Sequence, residues 1–204
     1  MHEREYVTIP TAEGSLEALV ERGGAPDGPI LLLCHPHPQY GGSMDDTVIE
    51  TVADALAPRL RAHVRFNFRG VGASTGRFDG GRGEVADVES VAHEIDGRWP
   101  GTPLWLGGYS FGSAMVWQAL RSLAPARVLL VAPPVGAMAF GRWPALAARV
   151  DVVFGDADQF LDAAMLATWA RDAAPVVAVH RIDGADHFFG GRTRELRRIV
   201  AALP

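Results

Sequence analysis

Among 204 residues there is no lysine, and all 19 basic side chains other than histidine are arginine. This excludes Schiff-base catalysis and the lysine of a phosphate-binding P-loop. Cysteine is nearly absent as well. Cys34 stands alone, so no disulfide can form within the chain. A chain of this length buries about 70% of its unfolded surface and needs no such staple. Long apolar runs are also lacking. The stretch from Val128 to Phe140 is broken by Pro133, Pro134 and Gly136, and it falls short of the roughly 18 residues that a bilayer span requires. No membrane span is expected. The opening MHEREYVTIP lacks the basic and then apolar pattern of a secretory signal, so the expected location is the cytoplasm. Nor is there an excess of positive charge: the formal net charge is −5 with both signs intermixed, which argues against a nucleic-acid partner.

What is present alternates. Short runs rich in Val, Leu and Phe take turns with longer segments of helical period, the pattern of a mostly parallel sheet flanked by helices. About eight strands are expected, from Tyr6–Pro10 to Val176–Arg181, the first two pairing as a hairpin across TAEG. Helices are expected over 45–61, 84–99, 110–123, 161–173 and 193–202. No repeat, low-complexity tract or linker divides the chain, which reads as one domain over residues 1–204.

The stretch LGGYSFGSA places Ser110 between Gly108 and Gly112, after the strand-like Leu104–Leu106 and before the helix-like run from Ala114 to Leu120. A serine on a sharp strand-to-helix turn needs small residues two before and two after it, where the elements approach each other. The same turn presents the amides of the helix's first turn to developing negative charge. Phe111 is thus the first candidate oxyanion donor. The rival reading is a plain helix cap.

A serine hydroxyl needs a base, and the base needs an acid. His2 lies near the chain end, His63 opens a strand, His93 sits in a helix and His180 in the last strand. His187, in IDGADHFFGG, follows the last strand in a glycine-flanked loop on the edge of the sheet that carries the serine turn, and is the expected base. For the acid, VDVVFGDADQF offers Asp156 and Asp158 beyond the strand end, of which Asp158 is favoured, whereas Asp151 lies within the strand. Asp186 adjoins the histidine too closely to grip its outer nitrogen and is expected to cap the loop. The order Ser110, Asp158, His187 is that of the α/β-hydrolase fold.

In LLLCHPHPQYGGSMDD, Pro36 and Pro38 have no N–H, so His37 is the only backbone donor between positions 36 and 38 and the candidate second oxyanion donor. His35-x-His37 with Asp45 and Asp46 could also be read as a metal site. The intervening proline and the lack of a third well-spaced ligand weigh against it, and no metal or cofactor is expected. FRGVGASTG fits neither dinucleotide nor P-loop patterns and reads as a structural turn, with Arg69 bonding loops at the site edge.

Together HPHPQYGGSMDD, RFNFRGVGASTG, GYSFG, FGDAD and GADHFF, spanning about Ile30 to Phe189, resemble the small lidless bacterial α/β-hydrolases related to dienelactone hydrolase and the serine aminopeptidase-like enzymes. The resemblance implies a single-domain α/β-hydrolase fold, mostly parallel, with helices on both faces and little or no lid. It also implies hydrolysis of carboxylic esters. Its Gly-x-x-Asp turn matches Gly155 and Asp158. Asn67 stands where many relatives have aspartate, and is read as structural. In the short segment from Val135 to Arg149, Met138, Phe140 and Trp143 are candidates for an apolar wall against an acyl group, or else pack over the sheet. The leading expectation is a serine carboxylesterase acting on small-molecule esters of short or medium acyl chain. Amide or peptide hydrolysis, and a non-catalytic binding module on the same fold, are the rivals.

Overall fold

The computed structural model describes residues 4–138, 140–141, 147–172 and 177–204. Its centre is one eight-stranded sheet in the order β1-β2-β4-β3-β5-β6-β7-β8. The strands are β1 Arg4–Thr11, β2 Gly14–Arg22, β3 Ile30–Cys34, β4 Ala62–Phe66, β5 Leu104–Tyr109, β6 Arg127–Val131, β7 Arg149–Gly155 and β8 Val177–Ile182. β1 and β2 form the expected hairpin, β2 runs antiparallel to β4, and every pairing from β4 to β8 is parallel. Parallel pairing sends the carboxyl ends of β3, β5, β7 and β8 to one edge, where their loops gather.

The helices are α1 Thr47–Leu56, α2 Arg82–Arg98, α3 Phe111–Ala119, α4 Ala163–Asp172 and α5 Thr193–Ala202. The two faces of the sheet are read by alternation along β3: Ile30, Leu32 and Cys34 join the core beneath α2, α3 and α4, while Leu31 and Leu33 join the core beneath α1 and α5. A strand covered on both faces must be apolar at every position, and ILLLC is wholly buried. Burial also pushes the Cys34 thiol pKa upward, so it acts as a small apolar side chain. No helix among the described residues is long and apolar enough to cross a membrane.

Boundaries depart from expectation where caps act. α1 does not reach from 45 to 61: the Asp46 carboxylate accepts the Val48 N–H at 2.8 Å and starts the helix after itself. At the other end Pro58 tightens the chain into a 3-10 turn. α3 stops at Ala119 rather than Leu123. Ala173 and Val176, the expected end of the fourth helix and start of the last strand, lie outside the described residues, as do His2 and Trp143. The FRGVGASTG segment is a turn tied down by its neighbours. Asn67 donates to Glu17 and accepts the Met44 N–H, and Arg69 forms a forked ion pair with buried Asp87 while also reaching Glu13.

Candidate active site

Ser110 sits between the last residue of β5 and the first of α3, at φ 52° and ψ −119°. The flanking glycines are there because backbones meet. A Cβ on Gly108 would lie 2.4 Å from the Gly112 carbonyl, and one on Gly112 would lie 2.3 Å from the Cys34 oxygen. The turn is fixed by the Ser110 N–H donating to the Val131 carbonyl at 2.9 Å, and by Ser113, whose N–H and hydroxyl both donate to the Ser110 carbonyl.

His187 lies in the loop between β8 and α5. Its Nε2 is 2.8 Å from Ser110 Oγ and its Nδ1 is 2.8 Å from Asp158 Oδ2. A buried carboxylate can only accept, so Nδ1 carries the proton and Nε2 presents its lone pair to the serine hydroxyl. Asp158, its side chain fully enclosed, is held by the Phe160 N–H donating to its other oxygen at 2.8 Å. The histidine loop is anchored from below by the Tyr109 hydroxyl, which donates to the His187 carbonyl. Burial and nearby carboxylates, Asp46 first among them, raise the Tyr109 pKa and keep that donor protonated.

The acid turn and the histidine loop are interlocked. A Cβ on Gly155 would lie 2.1 Å from the Ala185 carbonyl, and the Ala157 N–H donates to that same carbonyl at 3.0 Å. Asp156, the rival acid, spends its carboxylate on the Gly184 N–H at 2.6 Å and does not reach the imidazole. Asp186 accepts from the N–H groups of Phe188 and Gly190 and so caps its own loop. Three of the other histidines do not reach the serine. His180 bonds Asp151 in the sheet, His63 lies beside buried Glu21, and His93 is exposed on α2.

A cleft of about 670 Å³ opens over Ser110. His37 and Phe111 both line it. Phe111 is the first residue of α3, so its N–H has no intrahelical acceptor. The His37 N–H makes no hydrogen bond among the described residues, although its carbonyl and ring accept from Gly42, Tyr40 and Gln39. Burial pushes the His37 ring pKa below the usual imidazole range, against an opposing pull from Glu84.

Met138 lines the cleft. Phe140 does not, which corrects its expected place in the acyl wall. Its ring is buried 5.7 Å from Trp169 and 6.4 Å from Trp117, whose indole N–H donates to the Phe140 carbonyl. A bulky ring at a sheet surface gains more from joining an aromatic cluster than from facing a wet groove. Trp143 lies outside the described residues. The apolar wall comes instead from side chains that the sequence reading did not single out: Tyr40, Phe160 and Phe188, all exposed at the rim. Phe160 and Phe188 stack edge-on to the His187 ring at 4.8 and 5.4 Å. Each follows a motif residue by one or two positions, a proximity that could have flagged them. Asp46 also lines the cleft, its carboxyl pKa raised by burial against the pull of the amides it caps.

No family model matches the chain. An uncharacterized protein of Rickettsia prowazekii (strain Madrid E) is 31% identical over 198 residues, covering 92% of this chain and 83% of the relative. The structure of XC6422 from Xanthomonas campestris, described as an α/β serine hydrolase without lid, superposes with a TM-score of 0.89 at 32% identity, over 97% of this chain and 92% of that one. An α/β serine hydrolase homologue from Coxiella burnetii superposes at 0.90 with 34% identity, over 97% and 95%. Similarity of sequence and backbone along almost the whole length places the chain in one group with these proteins, and it belongs to the small lidless α/β serine hydrolases.

Proposed function

We propose that the protein hydrolyses carboxylic esters of small molecules through an acyl-enzyme carried on Ser110. The observation that carries this reading is the unbroken chain from Ser110 Oγ to His187 to Asp158, at 2.8 Å for each link, opening into an apolar cleft. In the acylation step the Ser110 oxygen bonds to the ester carbonyl carbon while its proton passes to His187 Nε2. The N–H groups of Phe111 and His37 receive the charge that develops on the carbonyl oxygen, each worth on the order of 3 kcal/mol in the transition state. Collapse of the adduct breaks the bond to the alcohol, which leaves with the proton from His187. Water then repeats the sequence, its proton going to His187 and back to Ser110 as the acid departs. Asp158 stays ionised and steadies the charged imidazole.

The open cleft and its aromatic rim support short or medium acyl chains. Amide hydrolysis rests on Asp46, the carboxylate that a substrate ammonium would meet at this cleft. That carboxylate is already engaged, since it accepts the Val48 N–H at the start of α1. Matched ester and amide substrates of one acyl group separate these readings.

The test of the nucleophile is intact-mass labelling with a fluorophosphonate, followed by peptide mapping. One adduct on Ser110, lost in Ser110→Ala and in His187→Ala, is the expected result. No adduct on folded wild-type protein would leave GYSFG as a turn and favour a binding module.

A further inference from the structure

His35 is fully buried at the end of β3, one residue before the Pro36–His37 peptide, and nothing in the proton relay uses it. Its Nε2 lies 3.0 Å from the Phe68 backbone nitrogen and its Nδ1 lies 2.6 Å from the Pro36 carbonyl oxygen. The Phe68 N–H can only donate and the Pro36 carbonyl can only accept, so both partners demand the same tautomer. The proton sits on Nδ1. The ring is also locked in place by Phe68, edge-on at 4.7 Å, and Phe68 in turn stands edge-on to Phe111 at 5.7 Å. Burial pushes the His35 pKa down to about 4, which keeps the ring in the neutral form that these contacts require.

We infer that His35 is a positioning residue for the oxyanion hole: by holding the Pro36 carbonyl it sets the plane of the Pro36–His37 peptide and aims the His37 N–H into the cleft. The inference rests on the proposed role of that N–H. In a trans peptide the C=O and the N–H point in opposite directions, so a carbonyl tied to the interior leaves the amide hydrogen on the side facing the cleft. Pro36 and Pro38 leave this peptide as the one donor in the segment. A second contact pins the same carbonyl. A Cβ built on Gly42 would lie 2.2 Å from the Pro36 oxygen, so the returning loop closes over it with no room to spare. Both the tautomer and the glycine therefore act on one peptide plane.

Two substitutions divide the functions of the ring. Asparagine reaches about as far as Nδ1 and can donate to the Pro36 carbonyl, but it leaves the Phe68 N–H unpaired. Glutamine reaches about as far as Nε2 and can accept from Phe68, but it leaves the Pro36 carbonyl unheld. Full-length wild type, His35→Gln and His35→Asn are compared on a p-nitrophenyl ester for kcat and KM. Inhibition by a trifluoromethyl ketone, which forms a charged tetrahedral adduct, and thermal unfolding are measured on the same samples. His35→Gln should lose about 100-fold in kcat and a similar factor in ketone affinity, the range seen when one oxyanion donor is lost, with KM within about twofold. His35→Asn should keep kcat within about tenfold while melting lower than wild type. Kinetic losses that simply follow the melting temperature in both variants, or equal losses in kcat for Gln and Asn, would overturn the inference and leave His35 a structural histidine. If His35→Gln does not fold, Gly42→Ala displaces the same carbonyl with His35 intact and should reproduce the split between kcat and KM; an unchanged kcat there refutes the idea. An inactive wild type that takes up no fluorophosphonate removes the hydrolase reading and this one together. An active wild type with a fully active His35→Gln removes this one alone.

Discussion

Glycine in place of Ser110 should make the protein more stable than alanine does, although both variants lose the serine hydroxyl. The residue is held at φ 52° and ψ −119°, a region in which a side chain costs about 1 to 3 kcal/mol. Alanine keeps that strain and glycine does not. Against this, glycine loosens the unfolded chain by about 0.5 to 1 kcal/mol relative to alanine. The balance favours glycine by about 1 kcal/mol. Using alanine as the reference cancels the hydrogen bond to His187, which both variants lack. For a chain of 204 residues such a difference raises the melting temperature by about 3 °C. Differential scanning calorimetry of Ser110→Gly beside Ser110→Ala measures it directly. A glycine variant melting at or below the alanine variant would mean that the turn is not strained, and that the surrounding glycines alone set its geometry.

Three further outcomes follow from contacts in and beside the site. Asp158→Asn should lower kcat by up to about ten-thousandfold while Asp156→Asn leaves it nearly unchanged, since only Asp158 reaches the imidazole; steady-state kinetics on one ester decides, and the reverse ranking would reassign the acid. Arg69→Ala strands the buried Asp87 carboxylate and should cost about 3 kcal/mol in urea unfolding, with activity per folded molecule retained; a cost under about 0.5 kcal/mol would show the pair to be solvated. His35 has a pKa pushed down to about 4 in the folded protein, from 6.5 unfolded, so the unfolded chain binds the extra proton between these values. Stability from this residue is full above pH 6.5 and falls by about 3 kcal/mol as the pH drops to 4. The gap in unfolding free energy between wild type and His35→Gln should therefore narrow on acidification, and a gap independent of pH would contradict the burial argument.

The fold was readable because its signals are local and repeated: runs such as ILLLC and RVLLV cannot be amphipathic strands, and the segments between them have helical period. That Ser110, Asp158 and His187 come within hydrogen-bond reach was readable for a related reason, since each sits in a short motif at a strand's carboxyl end, and parallel pairing brings those ends together. What escaped was anything that depends on how separate loops meet. Tyr40, Phe160 and Phe188 come from different loops and share a rim only after folding. Phe140 looked equally suited to a groove or a core, and three-dimensional packing against Trp117 and Trp169 decided it. His35 entered only through a metal pairing with His37 that the sequence weighed against, because spacing shows which residues are near and says nothing of which backbone group a ring nitrogen faces.

The locking of the Gly155–Asp158 turn onto the Ala185–His187 loop bears on how this scaffold could be diversified. Phe160 and Phe188 follow directly on these two interlocked segments, yet both side chains reach solvent. A combinatorial library confined to those two positions and Tyr40 would reshape the mouth of the cleft while leaving the hydrogen bonds among Ser110, His187 and Asp158 in place, so the lining and the polar chain beneath it can be varied as nearly separate traits.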